Sequence, residues 1–467
     1  MTAWTRSPAS FRDPSGFIFI RDGVLYRQVN ESFAPHYDRL KRSGLYNELT
    51  DLRLMVEHDE VEFRPEGAPP AHVVVRPRPV PFISYPYEWC FGQLKAAALA
   101  TLELQKHALA HGMVLRDASA YNIQFLDGRP VLIDTLSFGP LIDGEPWSAY
   151  RQFCQHFVAP LALMAHANAS LGQLLRIHID GLPLDLAASL LPLSTRFRPG
   201  LLTHIHLHAR SVATRSNLPA ADATGRATHG RMSRLALLGL MDSLESTVRG
   251  LTWEQRGSVW ADYYANTNYT QAAERDKQQL VSRFIQAARA RGSVSIVWDL
   301  GANTGVYSRI AAAAGAHVIS LDMDHGAVER HYRDSVSRGE TRILPLVQDL
   351  TNPSGGTGWR NAERRSLAER GPADLVLALA LLHHLAIAGN LPLCEIAAFF
   401  RSIAVRLIVE FVPKDDSQVR RMLAVRPDIF PDYHQEAFEA AFRRKFRIVD
   451  RAPISDSRRT LYLMEVA

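Results

Sequence analysis

Asp299, Gly301, Asn303, Gly305 and Asp322 are spaced to hold a nucleoside at a single glycine turn. In "VWDLGANTGVYSRIAAAAGAHVISLDMD" (297–324), strand-like text runs to Asp299 and the glycine turn follows. An Ala-rich helical stretch then stops at Gly315, and a second strand closes on Asp322. That carboxylate lies twenty-one residues beyond Gly301, where a βαβ unit sets an acidic side chain against a ribose. An adenosine-containing ligand is implied. A dinucleotide would need G-x-G-x-x-G, so that its pyrophosphate can lie against the backbone. Here Asn303 takes the second glycine position and Val306 the third. The turn opens on a carboxylate, Asp299, which suits an ammonium group. S-adenosylmethionine has that ammonium and a ribose, and no pyrophosphate.

Such a turn needs a parallel sheet behind it. From about residue 250 the stretches "VSIVWDL", "HVISLD", "TRILPLVQ", "ADLVLALA" and "VRLIVEFV" read as strands with helical text between most of them, the pattern of a sheet covered on both faces. His383 and His384 follow the fourth of these strands and Glu410 ends the fifth, on the edge where such sheets bind ligands. One of the three is expected to take the proton from an oxygen or nitrogen methyl acceptor. Tyr263, Tyr264, Asn268 and Tyr269 precede the first strand and could close over a ligand. Arg458, in the loop before the final strand, reads as a surface arginine.

Resemblance adds to this reading. "DLGANTG" looks like motif I of class I S-adenosylmethionine-dependent methyltransferases, and "SLDMD" like the acidic end of their second strand. "LVQDL" resembles the third-strand motif that frames the adenine, which implies Asp349 beside the base. "ADLVLALALLHHL" resembles the fourth-strand motif beside the methyl group. More narrowly, "YYANTNY", "GWRNAERRSLAERGPADLVLALALLHHL", "VEFVPKDDSQV" and "SRRTLYLM" resemble a bacterial methyltransferase family that includes rhizobial host-specific nodulation proteins of the NoeA type. The likeness extends into the first half through "YPYEWCFGQLK" and "LRDASAYNIQF". It implies S-adenosyl-L-methionine as cofactor and no metal. It does not fix the acceptor, the catalytic base or the oligomeric state.

A second constellation stands in "LRDASAYNIQFLDGRPVLID" (115–134). Asp117, Asn122 and Asp134 have the spacing of the base and the two metal ligands of protein-kinase-like phosphotransferases, with a strand–turn–strand segment between the last two. The stretch resembles that fold, and a helical segment (91–112) precedes it. Its chemistry departs from the pattern. Leu115 replaces the histidine, "DTL" stands for "DFG", no glycine-rich loop precedes, and "VLYRQV" offers Arg27 in place of the lysine. Asp117 and Asn122 could equally hold their own loop by hydrogen bonds to backbone.

The bulk composition fits two domains. The chain has 467 residues, 47% hydrophobic and 22% charged, with a formal charge of +5, which is globular and too long for one core. We read an α/β protein: an N-terminal α+β kinase-like domain (1–205), a linker with a helix (206–249), and a Rossmann-like class I methyltransferase domain (250–467). The expected activity is O-methylation of a small molecule or saccharide-type acceptor, with the first domain recruiting substrate. A bifunctional kinase/methyltransferase and a non-catalytic S-adenosylmethionine-binding scaffold are the alternatives. The modest charge, and the want of basic text interleaved with aromatics, argue against nucleic acid. Cys90, Cys154 and Cys394 suit buried free thiols. No apolar run approaches a membrane span, so a cytoplasmic protein is expected.

Overall fold

The computed structural model describes residues 4–210, 231–254 and 270–467. The chain divides into two compact units, one of residues 1–254 with 358–364 and one of residues 255–357 with 365–467. Tyr263, Tyr264, Asn268 and Tyr269, and most of the Arg-rich text between 206 and 235, lie outside the described residues.

The first unit opens with a five-stranded antiparallel sheet in the order β1-β2-β3-β5-β4: β1 (Trp4–Arg6), β2 (Gly16–Arg21), β3 (Val24–Asn30), β4 (His58–Val61) and β5 (Ala71–Pro77). The β2–β3 hairpin forms where "FIFIRDGVLYRQV" predicts it. Asp22 and Gly23 take the positive φ angles, 51° and 76°, that let a two-residue turn match the strand twist. The strand-like text of 72–89 is a strand only as far as Pro77. The prolines beyond it cannot donate to a ladder, and a short 3₁₀ turn (Pro86–Glu88) follows. The helix Phe91–Ala110 is in its predicted place. Two small ribbons come next. They pair β6 (Met113–Leu115) with β9 (Phe138–Pro140), and β7 (Ile123–Leu126) with β8 (Arg129–Leu132) across the Asp127-Gly128 turn. The helix Arg234–Gly250 buries Leu237, Met241, Leu244 and Val248. Lys95 on the helix Phe91–Ala110 donates to the carbonyls of Arg249 (2.8 Å) and Leu251 (2.7 Å).

The second unit is built on a seven-stranded sheet in the order β12-β11-β10-β13-β14-β16-β15. Its strands are β10 (Ile296–Leu300), β11 (His317–Asp322), β12 (Ile343–Val347), β13 (Leu375–Ala378), β14 (Arg406–Phe411), β15 (Phe446–Pro453) and β16 (Thr460–Val466). β10 to β14 are parallel, and β16 runs antiparallel between β14 and β15. After β12 the chain returns to the other side of β10. That reversal opens a crevice at the carboxyl ends of β10 and β13. One face of the sheet (Val297, Leu375, Leu377, Ile408) packs on Val281, Phe284 and Ile285 of the helix Gln271–Arg289 and on Ala311 of the helix Val306–Ala313. Residues of opposite parity, such as Trp298, Val376 and Leu407, are buried as well, as a sheet covered on both faces requires.

One expectation needs correction, and two features were not foreseen. β15 was not foreseen, because "FRIVDRAP" carries charges on an exposed edge. Cys394 is exposed, not buried, because it lies in the solvated first turn of the helix Leu393–Ile403. The helical segments that follow Trp147 include two π-turns, Cys154–Val158 and Leu202–Leu207. No helix among the described residues is long and apolar enough to cross a membrane.

The glycine turn depends on Gly305. Its φ is 81°, and a Cβ there would meet the ring of the buried His331, 2.0 Å from Nε2. Gly305→Ala should destabilise the second unit by more than the about 1–2 kcal/mol of a left-handed backbone alone. Adding His331→Ala should recover only the steric part, as measured by thermal unfolding.

Candidate functional site

Asp299, Gly301, Asn303, Gly305 and Asp322 lie at or just after the carboxyl ends of the neighbouring strands β10 and β11. Asp299 lies one residue before the end of β10 and is 2% exposed. Its side chain faces the helix Val306–Ala313, whose Ser308 donates to Asp299 Oδ2 (2.6 Å). Ser320 on β11 donates in turn to Ser308 Oγ (2.8 Å). This buried serine pair fixes the carboxylate's orientation. Gly301 (φ 72°) and Asn303 (φ 48°) turn the chain. Asparagine tolerates that conformation because its side chain can bond locally, and here Asn303 Oδ1 accepts from Thr304 N–H (2.9 Å). Asp322 ends β11. Its Oδ2 accepts from Asn303 N–H (2.8 Å) and its Oδ1 from Asp324 N–H (2.9 Å). A carboxylate has about four lone-pair sites, so acceptor capacity remains on the crevice side.

Burial raises the pKa of both carboxyls to about 6, against the bonds from Ser308 to Asp299 and from the Asp324 and Asn303 amides to Asp322. Each therefore holds its proton longer folded than unfolded, where an aspartate titrates near about 4. The pair lowers stability as pH rises from about 4 through about 6. A cationic ligand favours the ionised forms and opposes that loss.

Asp349 follows β12, and its Oδ1 accepts from Thr351 N–H (2.8 Å) and Thr351 Oγ1 (2.7 Å), closing its own turn. His383 and His384 follow β13, at the start of a π-turn (His384–Ala388), with ring centroids 4.2 Å apart. Extra-residue turns of this kind are frequent at functional sites. His383 is fully buried, and neither ring nitrogen has a hydrogen-bond partner. Burial puts its pKa well below the usual histidine value. His384 is half-buried and is lowered by burial to about 4. Both rings are neutral at pH 7.

Glu410 ends β14 and is fully buried in a network of ions that the sequence did not reveal. Lys277 Nζ lies 2.6 Å from its Oε2, Ala380 N–H donates to the same oxygen (2.8 Å), and Arg459 Nη1 lies 3.3 Å from Oε1. Arg459 also grips Asp416 through Nε (2.8 Å) and Nη2 (3.1 Å). Lys277 and Arg459 are almost wholly buried. Lys277 occupies a core-facing position of the helix Gln271–Arg289, in register with Ala273, Val281, Phe284 and Ala288. A lysine inside an apolar stripe is the signal that could have marked it. Arg458, beside Arg459, is exposed and pairs with Asp415.

Of the three loop residues of the first unit, Asn122 and Asp134 meet at Ser137, and Asp117 is held by other partners. Asp117 Oδ1 accepts from Ser119 N–H (3.0 Å) and Gln152 Nε2 (2.7 Å). Asn122 Nδ2 donates to Ser137 Oγ (3.4 Å), which donates to Asp134 Oδ2 (2.6 Å). Arg27 on β3 lies 2.5 Å from Asp134 Oδ1. The carboxylate that the sequence spacing suggested as a metal ligand is thus matched by a guanidinium.

Among known proteins, the chain is 38% identical over 465 residues to nodulation protein NoeA of Rhizobium meliloti (strain 1021), covering 98% of this chain and 96% of that one. No protein-family model matches it. Three solved structures that it resembles align with less than half of it. Magnesium protoporphyrin IX methyltransferase ChlM from Synechocystis PCC 6803 is 21% identical over 44% of this chain and 92% of that one, with a TM-score of 0.32. N-methyltransferase NodS from Bradyrhizobium japonicum WM9 is 15% identical over 42% and 97%, with a TM-score of 0.31. The bifunctional kinase-methyltransferase WbdD is 15% identical over 44% and 41%, also at 0.31. Alignments with scores this low define neither a common fold nor a common activity.

Removing one partner from a buried ionic network leaves uncompensated charge, at a cost of about 3–5 kcal/mol. Glu410→Gln should therefore lower the stability of the second unit by that order in denaturant titration. A variant that loses activity at unchanged stability would instead mark Glu410 as a proton acceptor.

Proposed function

The chain belongs to the family of nodulation protein NoeA, and we propose that its second unit transfers a methyl group from S-adenosylmethionine to an oxygen of a small-molecule or saccharide-type acceptor. The observation that carries this reading is Asp299, a buried carboxylate oriented by two serines, at a glycine turn without the second and third glycines of a dinucleotide site. The donor set fits the cofactor. Asp299 would accept from the ammonium, Gly301, Asn303 and Gly305 would bring backbone close to the ligand, and Asp322 would accept from ribose hydroxyls. Asp349 would lie at the base through its turn. When bound, the cofactor supplies an electrophilic methyl on a sulfonium.

Methyl transfer of this kind is an in-line displacement in which positioning supplies much of the rate. Of the three candidate bases, His384 alone has exposed surface. Its ring is neutral at pH 7, and we assign it that role. His383 backs its ring, and Glu410 holds the floor of the crevice. Oxygen is favoured as acceptor because no asparagine-proline-proline-tyrosine motif of amide and adenine methylation is present.

In the same reading the first unit is a kinase-like module that recruits or presents the acceptor. Its five-stranded antiparallel sheet and the meeting of Asn122 and Asp134 at Ser137 support the likeness. The Arg27–Asp134 pair argues against magnesium there.

The test is incubation of the intact chain with methyl-labelled S-adenosylmethionine and fractionated lysate. Label should enter a small-molecule or saccharide fraction. Tight S-adenosylhomocysteine binding with label in no fraction would mean a scaffold. Asp322→Ala should weaken S-adenosylhomocysteine binding by on the order of 1.5–3 kcal/mol, and Asp134→Ala should leave it unchanged. Magnesium-dependent ATP binding that disappears in Asp134→Ala would instead make the first unit a working phosphotransferase site.

A further inference from the structure

Residues 358–364 lie in sequence between β12 and β13 yet belong to the first unit. Two contacts fasten them there. The buried Glu363 meets Nε and Nη2 of Arg12 with one oxygen, 2.7 Å from each, and the guanidinium of Arg364 lies 4.4 Å from the ring centroid of Tyr121. Between Gly358 and Glu363 the backbone is left-handed at Arg360 and Asn361, each with φ 56°. Such strain in residues other than glycine persists only where the surroundings impose it, and it clusters at ligand sites. Here it presents Trp359 with its ring 64% exposed. Trp359 and Arg360 join Arg6 and Phe11, itself 43% exposed, around a cavity of about 240 Å³ that lies wholly in the first unit. No acidic residue lines it. Arg6 is held in place, because its Nε donates to the Ser10 carbonyl (2.7 Å) and its guanidinium lies 4.7 Å from the ring centroid of Phe17. Its two terminal nitrogens, the Arg360 guanidinium and the Trp359 indole N–H have no partner among the described residues.

We propose that this cavity binds an acidic saccharide, an inference that rests on the reading of the acceptor as saccharide-type. The lining selects for it. Both charged groups are guanidiniums, which only donate and whose forks match the paired oxygens of a carboxylate or a phosphate. The two aromatic side chains supply apolar surface of the kind on which the C–H face of a pyranose packs. Singly exposed apolar side chains need no explanation, but an exposed tryptophan and phenylalanine around one cationic hollow do. A cavity smaller than the about 300–1,000 Å³ that encloses drug-sized ligands grips one or two sugar rings, not a whole cofactor. A nucleotide fits less well, because no amide or carboxylate side chain lines the cavity to read the edge of a base.

Four probes test it on the intact chain by ligand-observed NMR titration: trigalacturonate, glucose 6-phosphate, maltotriose and AMP. At least one of the two acidic sugars should bind on the order of 10-fold more tightly than neutral maltotriose, and which one does so tells a carboxylate from a phosphate. Trp359→Ala should weaken that binding, and Arg360→Gln should remove most of the preference for charge. Both side chains are exposed, so both variants should fold, and Arg129→Gln, an exposed arginine outside the cavity, should change nothing. Binding of no acidic sugar, equal binding of maltotriose, tighter binding of AMP, or acidic-sugar binding that survives both cavity substitutions overturns the inference. Acidic-sugar binding at this cavity, with label from S-adenosylmethionine entering no saccharide, overturns the acceptor reading and leaves the site standing. Label entering neutral saccharides, with no acidic-sugar binding, overturns the site alone.

Discussion

A buried carboxylate, Asp299, and a half-buried one, Asp322, at the ends of neighbouring strands are the constraint around which the second unit is arranged. Both are costly to ionise there, and burial lifts both to about 6. The surrounding structure accepts that cost. Ser308 and Ser320 serve Asp299, the amides of Asn303 and Asp324 serve Asp322, and the left-handed backbone at Gly301, Asn303 and Gly305 brings those amides into place. Pre-organisation of this sort makes sense where a cation arrives later and converts the penalty into binding.

Beneath the carboxylates lies a floor of paired ions. Lys277 comes from the helix Gln271–Arg289, Glu410 from the end of β14, Asp416 from the loop after it and Arg459 from the approach to β16. Two cations and two anions leave this group of side chains near neutral. Glu410, placed by its sequence position among the candidate bases, is better understood as the member that ties this floor to the turn after β13.

Local features were legible in the sequence, and those depending on distant partners were not. The β10–turn–helix–β11 unit could be read from "DLGANTG" and "SLDMD" because every contact that defines it lies within one short stretch. The two hairpins were legible from Asp-Gly pairs that fix their own turns. The antiparallel edge was not, because β15 borrows its order from β16 and carries exposed charge on its outer side. Lys277 escaped notice because its meaning comes from Glu410, far along the chain. Arg458 and Arg459 are adjacent and chemically identical, and only the alternation of the approach to β16 decides which is buried. In the first unit Asp117, Asn122 and Asp134 were visible by spacing, but the pairing of Arg27 with Asp134 was set by the sheet.

Calorimetric titration of the intact chain with S-adenosylhomocysteine between pH 5 and 8 tests the central claim most directly. If ionised Asp299 and Asp322 receive the ligand, affinity should rise with pH through about 6. Protons should be released on binding near that pH and not near pH 8, and Asp299→Asn should flatten the profile. An affinity constant across the range, or tighter binding of NAD than of S-adenosylhomocysteine, would contradict the account.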